Sequence, residues 1–170
     1  MTTKKLPTLE RLNEILDYDP ETGVFRWKKA TANRVKVGAI AGTDHNLGYR
    51  IVMIDRSRYF AHRLAWKMHH GRDPEDQIDH INGIKNDNRI KNLRECSRAQ
   101  NQCNRGKNKN NSSGYKGVSL CRRSGKYVAH LTVIGVKKYL GHHKTASEAH
   151  EAYKKAAKEY HGYFYNGGEK

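Results

Sequence analysis

Acidic residues are scarce in this sequence. Asp and Glu number 17 against 33 Lys and Arg, leaving a formal charge of +16 and a pI near 9.9. A one-signed excess spread along the chain implies a polyanionic partner, most often nucleic acid, rather than a merely solvated surface. Long apolar runs are also missing. Nothing approaches the roughly 18 residues that a membrane span needs, so no membrane partner is expected. The opening segment, Met1 to Pro7, holds no apolar stretch of the kind a signal peptide uses, so a cytoplasmic protein is expected. Cysteine is limited to Cys96, Cys103 and Cys121. An odd count argues against a secreted disulfide framework. Cys96 and Cys103 lie too far apart for the close pair a zinc site uses, so free thiols and no zinc are expected. Core-forming residues are few: 36% of the chain with tyrosine counted. Trading tyrosine for glycine gives about 39%, against roughly 45–50% in an ordinary globular domain. Several small modules are more plausible than one large core.

What is present divides into segments. Thr8 is placed to cap a helix carrying Leu9, Leu12, Ile15 and Leu16 on one face. Asp19 to Gly23 is a turn, and Val24 to Trp27 a short strand. Tyr49 to Ile54 is β-rich, with Tyr59-Phe60 as its hairpin partner across Asp55 to Arg58. A helix over Ala61 to His70 follows, with Leu64, Ala65 and Met68 inward and Gly71 as its stop. Beyond Gln77 asparagine becomes frequent, which signals polar loops with a task. A strand through Ile78, a turn at Asn82-Gly83, a second strand near Leu93 to Cys96 and a helix capped by Ser97 make a β-loop-β-helix unit. Arg105 to Gly114 contains no core former and reads as a basic, flexible tether. Three strand-like runs follow, at Tyr115 to Leu120, Lys126 to Ile134 and Val136 to His142. Thr145 and Glu148 form a capping box for a helix with Ala149, Ala152, Tyr153, Ala156, Ala157 and Tyr160 on one face.

The chemistry-bearing residues sit in the asparagine-rich unit. Asp79 and His80 end the first strand and offer a hard oxygen ligand beside a base that titrates near neutrality. Asn92, twelve residues on, is expected to face His80 across the hairpin and fix its tautomer. The amide oxygen of Asn101, on the following helix, is placed to complete a metal site opposite Asp79. Oxygen ligands suit one Mg²⁺ or Mn²⁺ ion. Together Ile78-Asp79-His80-Ile81-Asn82-Gly83, Asn86-Asp87-Asn88-Arg89, Asn92-Leu93-Arg94 and Asn101 resemble the HNH nuclease motif of phage and intron-encoded homing endonucleases. The resemblance implies a ββα-metal finger in which Asp79 and Asn101 hold the ion, His80 activates water and Asn92 orients it. It also implies a phosphodiester hydrolase leaving 5′-phosphate and 3′-hydroxyl ends. His62 resembles a family position and is expected to be structural.

The last fifty residues resemble the APETALA-type DNA-binding domain of plant ethylene-response factors. The residues that carry this are Gly114 to Val118, Gly125 to Ala129, Tyr139-Leu140-Gly141 and Thr145 to Ala157. The resemblance implies a three-stranded sheet in the major groove with the helix behind it. Arg122, Arg123, Lys126, Lys137, Lys138 and Tyr139 would then face DNA. Ser119, Thr132 and Tyr139 depart from the plant pattern, which bars transfer of its target sequences. Lys116 and the tether residues Arg105, Lys107 and Lys109 are expected as further DNA contacts, as are Arg50, Arg56 and Arg58 on the N-terminal hairpin.

The expected fold is therefore α+β and modular. An N-terminal α/β region (1–74) that contacts DNA precedes an HNH finger (75–105), a basic linker (106–114) and an APETALA-type domain (115–170). The expected function is a site-preferring endonuclease that nicks double-stranded DNA as a monomer on an extended asymmetric site, in a bacterial host cytoplasm if phage-encoded. The rival is a phage DNA-binding regulator on a degenerate HNH scaffold, and a weaker third is an RNA-binding protein.

Overall fold

A computed structural model describes residues 5–108, 110–133 and 135–165. The fold is α+β, and the chain divides into two compact units, Met1–Cys96 and Ser97–Lys170. No helix among the described residues is long and apolar enough to cross a membrane.

In the first unit, α1 (Leu9–Ile15) starts where the Thr8 hydroxyl accepts from the Arg11 N–H. The helix is shorter than its apolar spacing suggests. Leu16 leaves it in an extended conformation to begin β1 (Leu16–Tyr18), which pairs with β2 (Phe25–Trp27). Both Leu16 and Phe25 are buried, so pairing with a distant strand outweighs one more helical residue. Between β1 and β2, Asp19 accepts from the Glu21 and Thr22 amides, and Gly23 adopts a left-handed φ of 73°.

A three-stranded antiparallel sheet follows in the order β3 (Thr43–Asp44), β4 (Arg50–Ile54), β5 (Ser57–Phe60). The β4–β5 turn is tighter than the four residues expected. Asp55 and Arg56 alone make it, with φ of 47° and 60°, the left-handed pair of a type I′ hairpin. Arg11 supports it by gripping Asp55 through Nε and Nη2. Helix α2 (Ala61–His70) begins directly after β5 and stops at Gly71, φ 73°. Alternation along β4 and the inner face of α2 converge on one core that includes Leu12, Ile15, Phe25, Val52, Ile54, Leu64 and Trp66.

The hairpin β6 (Gln77–His80) and β7 (Leu93–Cys96) contributes Ile78 and Leu93 to that same core. The expected boundary at 74/75 therefore falls inside one hydrophobic cluster and does not separate two units. The expected finger is divided instead, because its helix α3 (Arg98–Cys103) belongs to the second unit. A reciprocal capping box between Ser97 and Gln100 starts α3.

The rest of the second unit is an antiparallel sheet of β8 (Val118–Cys121), β9 (Lys126–Val133) and β10 (Val136–His143), backed by α4 (Ala146–His161). Val118, Ala129 and Leu131 meet Ala149, Tyr153 and Ala157 of α4. Within the expected tether, Asn111 and Ser113 bond to their own neighbours. Asn111 Nδ2 donates to the Tyr115 carbonyl at 2.7 Å, and Ser113 Oγ lies 2.9 Å from that of Val118. Cys96, Cys103 and Cys121 are free thiols.

Leu64 is fully buried at the centre of the first unit. Leu64→Ala is expected to lower stability by about 2–5 kcal/mol, the range for leucine deletions that leave a cavity, read as a shift in the urea midpoint.

Candidate active site

The hairpin register places Asp79 directly opposite Arg94, and His80 opposite Leu93. Side chains alternate along each strand, so the two pairs occupy opposite faces. Asp79 Oδ2 accepts from Arg94 Nε at 2.9 Å and from Nη2 at 2.7 Å. Both residues are buried. Next along β7, Glu95 accepts from Arg72 at 3.0 and 2.6 Å and from the Glu75 amide at 2.7 Å. The segment leading into β6 is thereby tied to β7.

His80 is buried among rings. Its centroid lies 5.1 Å from that of His62, edge-on, and 6.0 Å from that of Tyr49. Phe60 stacks on His62 at 5.5 Å. Burial lowers the pKa of His80 below its ordinary value and favours the neutral imidazole. His62 is more extreme. Burial, helped by His80 and Arg63, pushes it down to about 3. Its Nδ1 is buried without a hydrogen-bond partner among the described residues.

The loop 81–92 is built by asparagine. Asn92 Oδ1 accepts from the Asn82 amide at 2.9 Å, and its Nδ2 donates to the Asp87 carbonyl at 2.8 Å. Asn82 Nδ2 donates to Asp87 Oδ2 at 2.6 Å, and Arg89 closes on the same carboxylate. Asn92, expected across from His80, thus spends its amide on the loop backbone. The amide near His80 is Asn88, 1% exposed, with Oδ1 3.5 Å from His80 Nε2 at the outer limit of a hydrogen bond. The β1–β2 region braces the loop from outside. Tyr18 Oη donates to the Asn88 carbonyl at 2.7 Å, and Ile90 N–H to the Pro20 carbonyl at 3.0 Å. A Cβ on Gly23 would stand 2.5 Å from the Arg89 nitrogen, so only glycine permits this approach.

Asp79, His80 and Asn92 therefore share one hairpin, while Asn101 lies on α3 in the second unit. Three residues around the hairpin were given no role by sequence reasoning: Arg94 and Asn88, quoted only as part of the motif, and Tyr49, quoted only as strand-forming. The signal for Arg94 was available, because pairing the two predicted strands puts it opposite Asp79. Asn88 and Tyr49 reach the site through loop and tertiary geometry that no spacing encodes. Among the described residues no three His, Cys, Asp or Glu side chains gather as a metal cluster. A divalent ion at Asp79 would meet one carboxylate and otherwise amide and water oxygens, a donor set compatible with Mg²⁺.

The expected DNA contacts separate by environment. Arg56, Arg58, Arg105, Lys107, Arg122, Arg123, Lys126, Lys137 and Tyr139 are exposed. Arg50 is not available as expected. Its guanidinium donates to the Ala41 and Gly42 carbonyls at 2.9 and 2.8 Å and pairs with Asp44, knitting β3 to β4. Lys138 faces α4, with Nζ 3.9 Å from the centre of the Tyr160 ring, while Lys137 and Tyr139 point to the opposite, open face. Three consecutive strand residues cannot share one face. Lys116 is half-buried and donates to the Cys103 carbonyl at 2.9 Å. Lys109 lies outside the described residues.

His62 generates a pH prediction. An unfolded histidine binds a proton below about pH 6.5, whereas folded His62 resists doing so down to about pH 3. Stability is therefore complete above pH 7 and falls as the pH drops through that window, by about 2 kcal/mol between pH 7 and 5. In His62→Gln that part of the loss is expected to disappear, leaving only what buried His80 and the other histidines contribute, read from urea midpoints at the two pH values.

Residues 59–103 match the family model of the HNH endonucleases, a span from the end of β5 to the end of α3 that contains Asp79, His80, Asn92 and Asn101. No curated protein and no solved structure gives a match. The matched segment is thus similar to an HNH endonuclease and suggests a nuclease.

Proposed function

We propose that this chain is a metal-dependent DNA endonuclease of the HNH type that nicks duplex DNA. The observation that carries the reading is His80, an imidazole favoured in its neutral form by burial, adjacent to Asp79 on a hairpin inside the HNH-matching segment. Hydrolysis of a phosphodiester needs a base, an in-line water and charge stabilisation at the leaving oxygen. His80 takes the proton from the attacking water. Tyr49 and His62 hold its ring by packing. Asn92 acts one step away, by keeping the loop 81–92 closed beside His80. Asp79 and Asn101 would hold one Mg²⁺ or Mn²⁺ ion, which supplies positive charge at the leaving oxygen when bound. Attack at phosphorus with departure of the 3′ oxygen leaves 5′-phosphate and 3′-hydroxyl ends.

The exposed cations of both units bind DNA in this reading, Arg56 and Arg58 on the β4–β5 hairpin and Arg122, Arg123, Lys126 and Lys137 on the sheet of the second unit. The three-stranded sheet with one helix behind it supports an APETALA-like mode, in which the open face carrying Lys137 and Tyr139 enters a groove. One site per chain implies a monomer that nicks one strand of an extended site. One observation favours a non-catalytic DNA-binding protein: Asp79 already accepts two hydrogen bonds from a buried arginine.

Supercoiled plasmid incubated with Mg²⁺, Mn²⁺ or EDTA separates these readings. Wild type is expected to give metal-dependent open circles, and His80→Ala to lose about 10²–10⁴-fold in rate while retaining gel-shift binding. Binding without cleavage under either metal would establish the regulator. If about six phosphates are neutralised, log K for duplex binding should fall with a slope near −5 in log salt, measured by anisotropy between 50 and 200 mM.

A further inference from the structure

The second unit contains a cavity of about 570 Å³ that the hairpin chemistry does not use. Its volume lies in the range of small-molecule sites, roughly 300–1,000 Å³. One wall comes from α3 and the segment after it, the other from β9 and the end of α4. No carboxylate lines it, whereas Arg105, Lys107 and Lys116 do. The bias extends through the sequence: residues 96–147 contain no Asp or Glu at all. Lys107 donates to the Gly114 carbonyl, and Lys116 donates to the Cys103 carbonyl beside the Tyr153 ring.

Rings line the cavity as well, from Tyr153, Tyr160 and Phe164. Lys138 Nζ lies over one side of the Tyr160 ring at 3.9 Å, but the residue is still 45% exposed, so a base would stack on the side away from Lys138. His161 contributes a polar edge. Its Nε2 lies 3.3 Å from the Thr132 carbonyl, and its Nδ1 is buried without a hydrogen-bond partner among the described residues. Cations without carboxylates select an anion, and an open aromatic face selects a planar base. A bare phosphate leaves the rings unused, and an uncharged aromatic leaves the cations unused.

We propose that this cavity binds a nucleoside phosphate, with the phosphate on Arg105 and Lys107 and the base against Tyr160. The group has two sources, a free nucleotide or an unpaired nucleotide within a strand. The inference shares only the premise of a nucleic-acid partner with the cleavage reading, and it holds whether or not His80 cuts.

The test uses the full chain in EDTA, where no metal-dependent cutting occurs. Calorimetry measures thymidine 5′-monophosphate, thymidine and inorganic phosphate, and anisotropy measures a labelled thymidine tetranucleotide. The nucleotide or the tetranucleotide is expected to bind at least about tenfold more tightly than thymidine or phosphate alone. Tyr160→Leu should weaken that binding about tenfold and Tyr160→Phe should restore it. The pair Arg105→Gln/Lys107→Gln should weaken it similarly. Lys144→Gln/Lys155→Gln, exposed residues outside the cavity lining whose loss removes equal charge, should leave it within about twofold. Tighter binding of the tetranucleotide assigns the site to a strand, and equal binding assigns it to free nucleotides. Equal loss from both charge pairs, insensitivity to Tyr160→Leu, or no binding of either probe would overturn the proposal. Wild-type circular dichroism of each variant confirms that a loss reflects the site.

Discussion

The buried ion pair between Asp79 and Arg94 is the constraint around which the β6–β7 hairpin is arranged. Two charges removed from water tolerate no vacancy, because loss of either leaves the other uncompensated at a cost of about 3–5 kcal/mol. A one-residue slip of β6 against β7 would separate them and turn every hairpin side chain to the wrong face. The pair therefore holds the register that puts Ile78 and Leu93 into the core and His80 among the rings of Tyr49 and His62. It also occupies the carboxylate that the proposed chemistry would assign to a divalent cation. A structural demand and the proposed catalytic one thus meet on one side chain.

The surroundings of His80 combine two kinds of support. Apolar burial comes from the β4–β5 sheet and α2, and polar closure comes from the loop 81–92. Three asparagines serve that loop because each amide offers donors and acceptors without charge. Asn82, Asn88 and Asn92 can thus satisfy backbone groups where aspartate would add repulsion against Asp87. Tyr18, Pro20 and Gly23 carry the bracing outward, so a region far away in sequence holds the site in place.

The second unit divides its labour by sheet face. Val118, Ala129 and Leu131 pack against α4, and the alternate positions leave Lys137 and Tyr139 exposed on the other side. Strand alternation decides which cations are available for a partner. Lys138 covers Tyr160, and Arg50 ties β3 to β4, although both look like surface charges in the sequence. A basic residue serves packing as readily as recognition when its stem lies along a ring or its head meets carbonyls.

Local patterns were legible in the sequence. The Thr8, Ser97 and Thr145 caps, helix α2 from Ala61 to its stop at Gly71, the strands flanking Asp79-His80 and the three-strand-plus-helix order of the second unit all follow from short-range chemistry: caps, turns and side-chain periodicity. The residues carrying the HNH resemblance were legible for the same reason, since they lie within one stretch. Other features depended on distant partners. Leu16 joined a strand because Trp27 was there to pair with it, the break near residue 74 vanished because Ile78 and Leu93 enter the first core, and Asn88 rather than Asn92 approached His80 because the loop folds back on itself. The sequence by itself determined the segments, their charge and the chemistry they carry. Tertiary structure alone decided which of those groups are buried, paired or open, because burial and pairing depend on residues far apart along the chain.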